Sequence, residues 1–127
     1  MRSDSTVQAS LVNAGVSTHP VTGQQVLSFV AIGGGAKLAN LRERPSVALT
    51  FQRSFEWITV EGTAELAGPD DSGLGLGADQ LRVLLRTIFT DAGGTHDDWQ
   101  AYDDTMLRER RAAVLITPTR IYSNPQR

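Results

Sequence analysis

The residues with the most chemical potential lie in the run GGGAKLANLRERPSVALTF, from Gly33 to Phe51. Gly33, Gly34 and Gly35 lead through Ala36 to Lys37, with Asn40 and Arg42 a little further on. Consecutive glycines lose much backbone freedom on folding, so a stable chain keeps them where the backbone needs φ > 0 or where a ligand comes close. A helix starting just after them presents free N–H groups and the positive end of its dipole, both attractive to an anion such as a phosphate. Lys37 adds a full charge in the first turn, and Asn40 and Arg42 add donors. The same spacing also describes a plain strand-to-helix turn with a solvated lysine, and the residues alone leave both readings open. A Walker-type loop is excluded, because Lys37 lacks both the earlier glycine spacing and a following Ser or Thr. The dinucleotide fingerprint fails too, since no parallel βαβ unit surrounds it.

Other candidates are weaker. His96-Asp97-Asp98 contains metal-ligating types, but three adjacent residues at a helix start cannot all face one ion, and carboxylates there favour capping. No Gly-x-Ser-x-Gly elbow is present to support a serine hydrolase. The run Arg108-Glu109-Arg110-Arg111 reads as a solvated helix end whose arginines complement the negative end of the dipole. Trp57 lies on a well-patterned strand with polar parity partners, and is either a core or interface residue or a platform for a planar ring. Cysteine is absent, which excludes disulfides and thiolate chemistry and fits a cytoplasmic location. The net charge of −2, with basic residues dispersed among acidic ones, argues against a nucleic-acid partner. No apolar run reaches the roughly 18–20 residues of a membrane span, and no signal peptide is visible.

The elements that must position these residues follow from periodicity. At 127 residues, 40% hydrophobic and 20% charged, the chain reads as a single domain over 1–127. Residues 6–14 alternate, with Val7, Ala9 and Leu11 on one side and Gln8, Ser10 and Val12 on the other. Residues 16–25, with Pro20 and Gly23, read as a loop or hairpin connection. Strand 26–32 is apolar on both faces apart from Ser28, as inside a barrel or at a subunit contact. Residues 37–44 are long enough for two helical turns before Pro45 stops them. Strands follow over 46–51 and 55–66, then a flexible connection over 68–77. Helices are expected over 78–93, ending at Gly93, and over 95–111, starting in a Thr95/Asp98 capping box. A last strand covers 112–124, with Pro118 marking a bend. Consecutive strands without long crossovers pair antiparallel, and closure into a barrel would remove their edges. The expectation is an α+β fold, mainly an antiparallel barrel.

With these elements in place, KLANLRERPSVALTF followed by EWITVEGTAEL resembles the split β-barrel flavin-binding proteins related to pyridoxamine 5′-phosphate oxidase. STVQASLVNAGV at the start and AVLITPTRIYSNP at the end resemble an actinobacterial subgroup of reductases dependent on coenzyme F420, a deazaflavin. The likeness covers nearly the whole chain. It implies a split β-barrel with short peripheral helices, binding coenzyme F420 (or FMN as the alternative) and a small-molecule substrate. It places the cofactor phosphate at Gly34, Gly35, Ala36 and Lys37, with Asn40 and Arg42 close by. Gln8 and Ser10 would flank the tricyclic ring, with Trp57 and Thr59 from the facing strand or the other subunit. Homodimers with cofactor sites at the subunit contact are implied, which fits strand 26–32 and exposed aromatics at Trp99 and Tyr102. Family members usually carry a helix and half-strand ahead of the equivalent of SDSTVQAS, and that start is expected to be either trimmed or misassigned here. The implied activity is hydride transfer from the reduced deazaflavin to an unsaturated organic substrate, with no residue assigned a catalytic role. Two alternatives are a non-enzymatic deazaflavin- or tetrapyrrole-binding protein and an FMN-dependent oxidase of pyridoxamine phosphate. The oxidase is disfavoured because no second basic cluster is present to hold a phosphorylated substrate.

Overall fold

A computed structural model describes residues 14–53 and 56–123. Over these residues the order is β1 (Gly15–Thr18), β2 (Gln25–Ala31), α1 (Ala36–Glu43), β3 (Ser46–Arg53), β4 (Glu56–Ala67), α2 (Ala78–Asp91), α3 (Trp99–Arg108) and β5 (Ala112–Ser123). The strands form one antiparallel sheet in the order β1-β2-β5-β4-β3. β5 comes last in the chain but sits at the centre, because Ala113–Ile116 are apolar on both faces and need cover on both. Ala113, Val114, Leu115 and Ile116 are fully buried.

The two faces carry separate apolar layers. Phe29, Ala31, Val47, Leu49, Ala64, Val114 and Ile116 pack on one side, covered by Leu38 and Leu41 of α1. Val26, Ala67, Ala113 and Leu115 pack on the other, under Leu84, Leu85 and Ile88 of α2 and Tyr102 of α3. Strand β2 contributes to both layers, so its two-faced apolarity is satisfied within one chain and needs no subunit contact.

The α+β class, the antiparallel pairing and the short helices agree with the split-barrel expectation. Over the described residues the sheet is open, with β1 and β3 as its edges, rather than closed. The expected strand 6–14 lies almost wholly outside the described residues, as do Gln8 and Ser10. β1 instead occupies part of the stretch assigned to the connection, because Ser17 is satisfied there: its hydroxyl donates to Asp91 Oδ2 at 2.7 Å and meets Ser28 Oγ at 2.6 Å. Pro118 does mark an irregularity. It pairs with Gly62, and the register shifts between Glu61 and Gly62, as a proline without an N–H requires. A Cβ on Gly62 would lie 2.3 Å from Thr117 O, so the bulge needs glycine there.

The second long helix is shorter than the pattern suggests. Asp98, not Thr95, is its cap, accepting from the Ala101 amide at 3.1 Å, so α3 starts at Trp99. Gly93 follows α2 in the left-handed region, φ 96°, as a helix terminator. α3 is fastened to α2 by Tyr102, whose hydroxyl donates to Leu85 O at 3.0 Å, and by Arg86, whose guanidinium grips Asp103.

Arg86 hydrogen bonds hold the Asp103 carboxyl below the usual carboxylate range, more strongly than partial burial raises it. A depressed carboxylate stabilises the fold above its unfolded pKa, about 3.9, and that stabilisation is lost as pH falls through the lower, folded value. Asp103→Asn is therefore expected to melt below the parent protein near pH 6, with the gap closing as pH falls below the carboxylate's unfolded value. Parallel melting curves across that range check it; a gap independent of pH would assign the effect to packing.

Candidate functional site

At the β2–α1 corner the three glycines do three different things. Gly33 donates its N–H to Glu109 O at 3.0 Å, and an added Cβ would lie 2.2 Å from Arg110 O. That glycine is required by packing. Gly34 has φ +76°, and among the described residues a Cβ there would meet nothing within 4 Å, so it serves backbone conformation. Gly35 is the α1 N-cap, with no side-chain cap and no acidic residue in the first turn. The helix start is therefore positive, with Lys37 in its first turn. Lys37 lies with its Nζ 5.4 Å from the Phe29 ring centroid, half-buried at the rim of the α1-side layer. The ammonium thus bears on a ring of the α1-side apolar layer.

Asn40 and Arg42 are both exposed, and they differ in engagement. Arg42 makes a two-point contact with Asp71, Nε to Oδ1 and Nη2 to Oδ2, each 2.8 Å. That pair raises the Arg42 pKa, and any use of Arg42 on a ligand must first release Asp71. Asp70 likewise holds Arg110, so this acidic turn pins both the end of α1 and the segment that backs Gly33. Asp70 and Asp71 gave no signal in the sequence, because their partners lie 40 and 29 residues away.

Trp57 and Thr59 form a second group. Thr59 is buried and shares a hydroxyl contact of 2.9 Å with Thr50. Trp57 meets Tyr122 edge-on, centroids 6.3 Å apart. Thr63, not Trp57, pairs with Ser46 just after α1. Trp57 therefore stands six positions, about 20 Å, along β4 from that junction. Within one chain only an elongated ligand could touch both groups.

The remaining polar candidates are structural. His19 is buried; its Nδ1 accepts from the amides of Val21 and Thr22 at 3.1 and 3.2 Å, which leaves Nε2 to donate to Glu65 Oε1 at 2.8 Å. His96 Nδ1 accepts from the Asp98 amide, and its ring joins Phe89, Trp99 and Tyr102. Among the described residues, no three His, Asp or Glu side chains gather as a metal site. Tyr102 and Trp99 are not the exposed aromatics expected of a dimer contact. Tyr102 is buried against α2, and Trp99 is half-buried between Phe89 and Arg86, because α3 folds back onto α2.

This fold is similar to that of a conserved hypothetical protein from Mycobacterium tuberculosis, with a TM-score of 0.53 and 18% identity over 87% of this chain and 74% of that one. It also resembles a protein of unknown function from Agrobacterium tumefaciens (TM-score 0.48, 14% identity, 87% of this chain and 49% of that one). A third solved structure is a pyridoxamine 5′-phosphate oxidase-related, FMN-binding protein from Nostoc punctiforme (TM-score 0.49, 14% identity, 84% and 62%). The chain thus spans about half the Agrobacterium protein and less than two thirds of the Nostoc one. No family model matches the sequence. At 18% identity the likeness to the Mycobacterium protein concerns the architecture alone, and a shared architecture does not fix a reaction.

Proposed function

We propose that the chain binds a flavin-type cofactor, specifically the deazaflavin coenzyme F420, and acts as an oxidoreductase on an unsaturated organic substrate. One observation carries the reading: the start of α1 has no side-chain cap and no acidic residue in its own first turn, and it is preceded by a left-handed Gly34 with no described residue within 4 Å of an added Cβ and followed by Lys37. Those donors suit a phosphate-bearing tail. Gly34, Gly35, Ala36 and Lys37 would hold the tail, with Asn40 beside them, while Trp57 and Thr59 bear on the ring. When bound, reduced deazaflavin supplies a hydride from its C5. The chain orients the cofactor, neutralises its charge and keeps water from it. The exposed apolar end of the β4–β5 ribbon, Ile58, Ile121 and Tyr122, supports a homodimer that completes the pocket.

Lys37→Ala is expected to weaken deazaflavin binding by about 1.5–3 kcal/mol, the scale of a hydrogen bond to a charged group. Loss of the Phe29 contact should cost only about 0.5–1 kcal/mol of stability. Titrations with deazaflavin and FMN in parallel, alongside melting curves, check this. FMN binding without deazaflavin binding would overturn the cofactor assignment, and unchanged affinity in the variant would remove Lys37 from the site.

A further inference from the structure

Two cavities flank α3 on the sheet face opposite α1. One, of 460 Å³, is lined by Val30, Ile88, Phe89, Tyr102, Met106 and Arg111. The other, of 390 Å³, runs beneath the 68–77 connection and is lined by Leu76, Leu81, Leu85, Met106, Leu107 and Arg111. Met106 and Arg111 line both, so a thioether side chain and a guanidinium side chain belong to the walls of both. Close-packed interiors leave few voids larger than a water molecule, whereas small-molecule pockets occupy about 300–1,000 Å³ with apolar walls and a few polar anchors. Methionine is the side chain best able to move aside, since it is unbranched and adapts to irregular gaps.

The charges in this region are unequal in freedom. Asp79 and Asp103 are matched by Arg82 and Arg86. Among the described residues the Arg111 guanidinium reaches only its near neighbour Glu109, with Nε and Nη2 converging on the single oxygen Oε1 at 2.8 and 2.7 Å. A guanidinium has five N–H donors in a planar fork, so that contact uses two of them. The Arg111 charge is also felt at the Tyr102 hydroxyl, where it opposes the rise that burial produces. The cation therefore bears on the apolar space rather than on bulk solvent alone.

We propose that the paired cavities bind an elongated apolar molecule carrying one carboxylate, with its chain along α3 and its head group on Arg111. Such a site lies on the other face of the sheet from the glycine corner and is independent of the cofactor reading. The probe is decanoate, compared with decanol, titrated into the full chain by calorimetry with melting curves in parallel. The parent protein should bind decanoate saturably and roughly tenfold to a hundredfold more tightly than decanol, the range of a hydrogen bond to a charged group. Arg111→Gln should abolish that preference while retaining weak binding of both. Met106→Trp should fill the shared wall and weaken both ligands. Leu107 is largely exposed, so Leu107→Asp leaves the core intact and should weaken decanoate by placing a like charge at the mouth. Absence of saturable binding to the parent protein, a carboxylate preference that survives Arg111→Gln, or decanoate affinity unchanged in Leu107→Asp would each overturn the proposal.

Discussion

Ile116→Ala should destabilise the protein by about 3 kcal/mol, within the 2–5 kcal/mol typical of a truncated buried isoleucine, and lower its melting temperature by roughly 10 °C. Ile116 is fully buried on the central strand, opposite Leu27 of β2 and Ala64 of β4, in the layer that α1 covers. Its removal takes away apolar contact area, and the surrounding sheet cannot collapse into the gap, because hydrogen bonds to both neighbouring strands fix the backbone. The same layer holds Leu38 and Phe29, which carry the start of α1 and the ring beneath Lys37. Ile116→Val should cost only about 0.5–1.5 kcal/mol. Denaturant titrations of the pair measure the difference. Equal losses in the two variants would mean that the layer relaxes freely and does not act as a rigid base for the corner.

Gly33→Ala should cost about 1–3 kcal/mol, the range for overpacking, and should also weaken cofactor binding. The new methyl would lie 2.2 Å from Arg110 O and 2.7 Å from Arg110 Cβ, so the β2–α1 turn must lift away from the segment entering β5. Lifting stretches the Gly33–Glu109 hydrogen bond and shifts the helix start that the proposed phosphate uses. Arg110 cannot readily give way, since its own φ is 50° and Asp70 holds its guanidinium. Gly34→Ala is the informative partner. Among the described residues its methyl would meet no atom within 4 Å, so its cost there is the left-handed backbone, roughly 1–2 kcal/mol. Its methyl would also project toward the space the proposed phosphate would occupy. Melting and deazaflavin titration of both variants separate space from conformation. A Gly33→Ala protein with parent-like stability and affinity would show that the contact with Arg110 is not required.

The sequence by itself determined most of the elements, β1 and the start of α3 excepted, and that the class is α+β. Pro45 ended α1, Gly93 followed the end of α2, and the doubly apolar run 26–32 became a strand buried on both faces, because these signals act over a few residues. It also determined the glycine-lysine corner as the start of a helix. Tertiary structure alone decided that β5 lies between β2 and β4, that Gly33 is needed for its contact with Arg110, and that Arg42 engages Asp71. It decided as well that Trp99 and Tyr102 turn inward and that Met106 and Arg111 line two cavities. Each of these depends on which distant residue arrives opposite a given position. Periodicity along a chain records that a face will be buried, but not what will bury it.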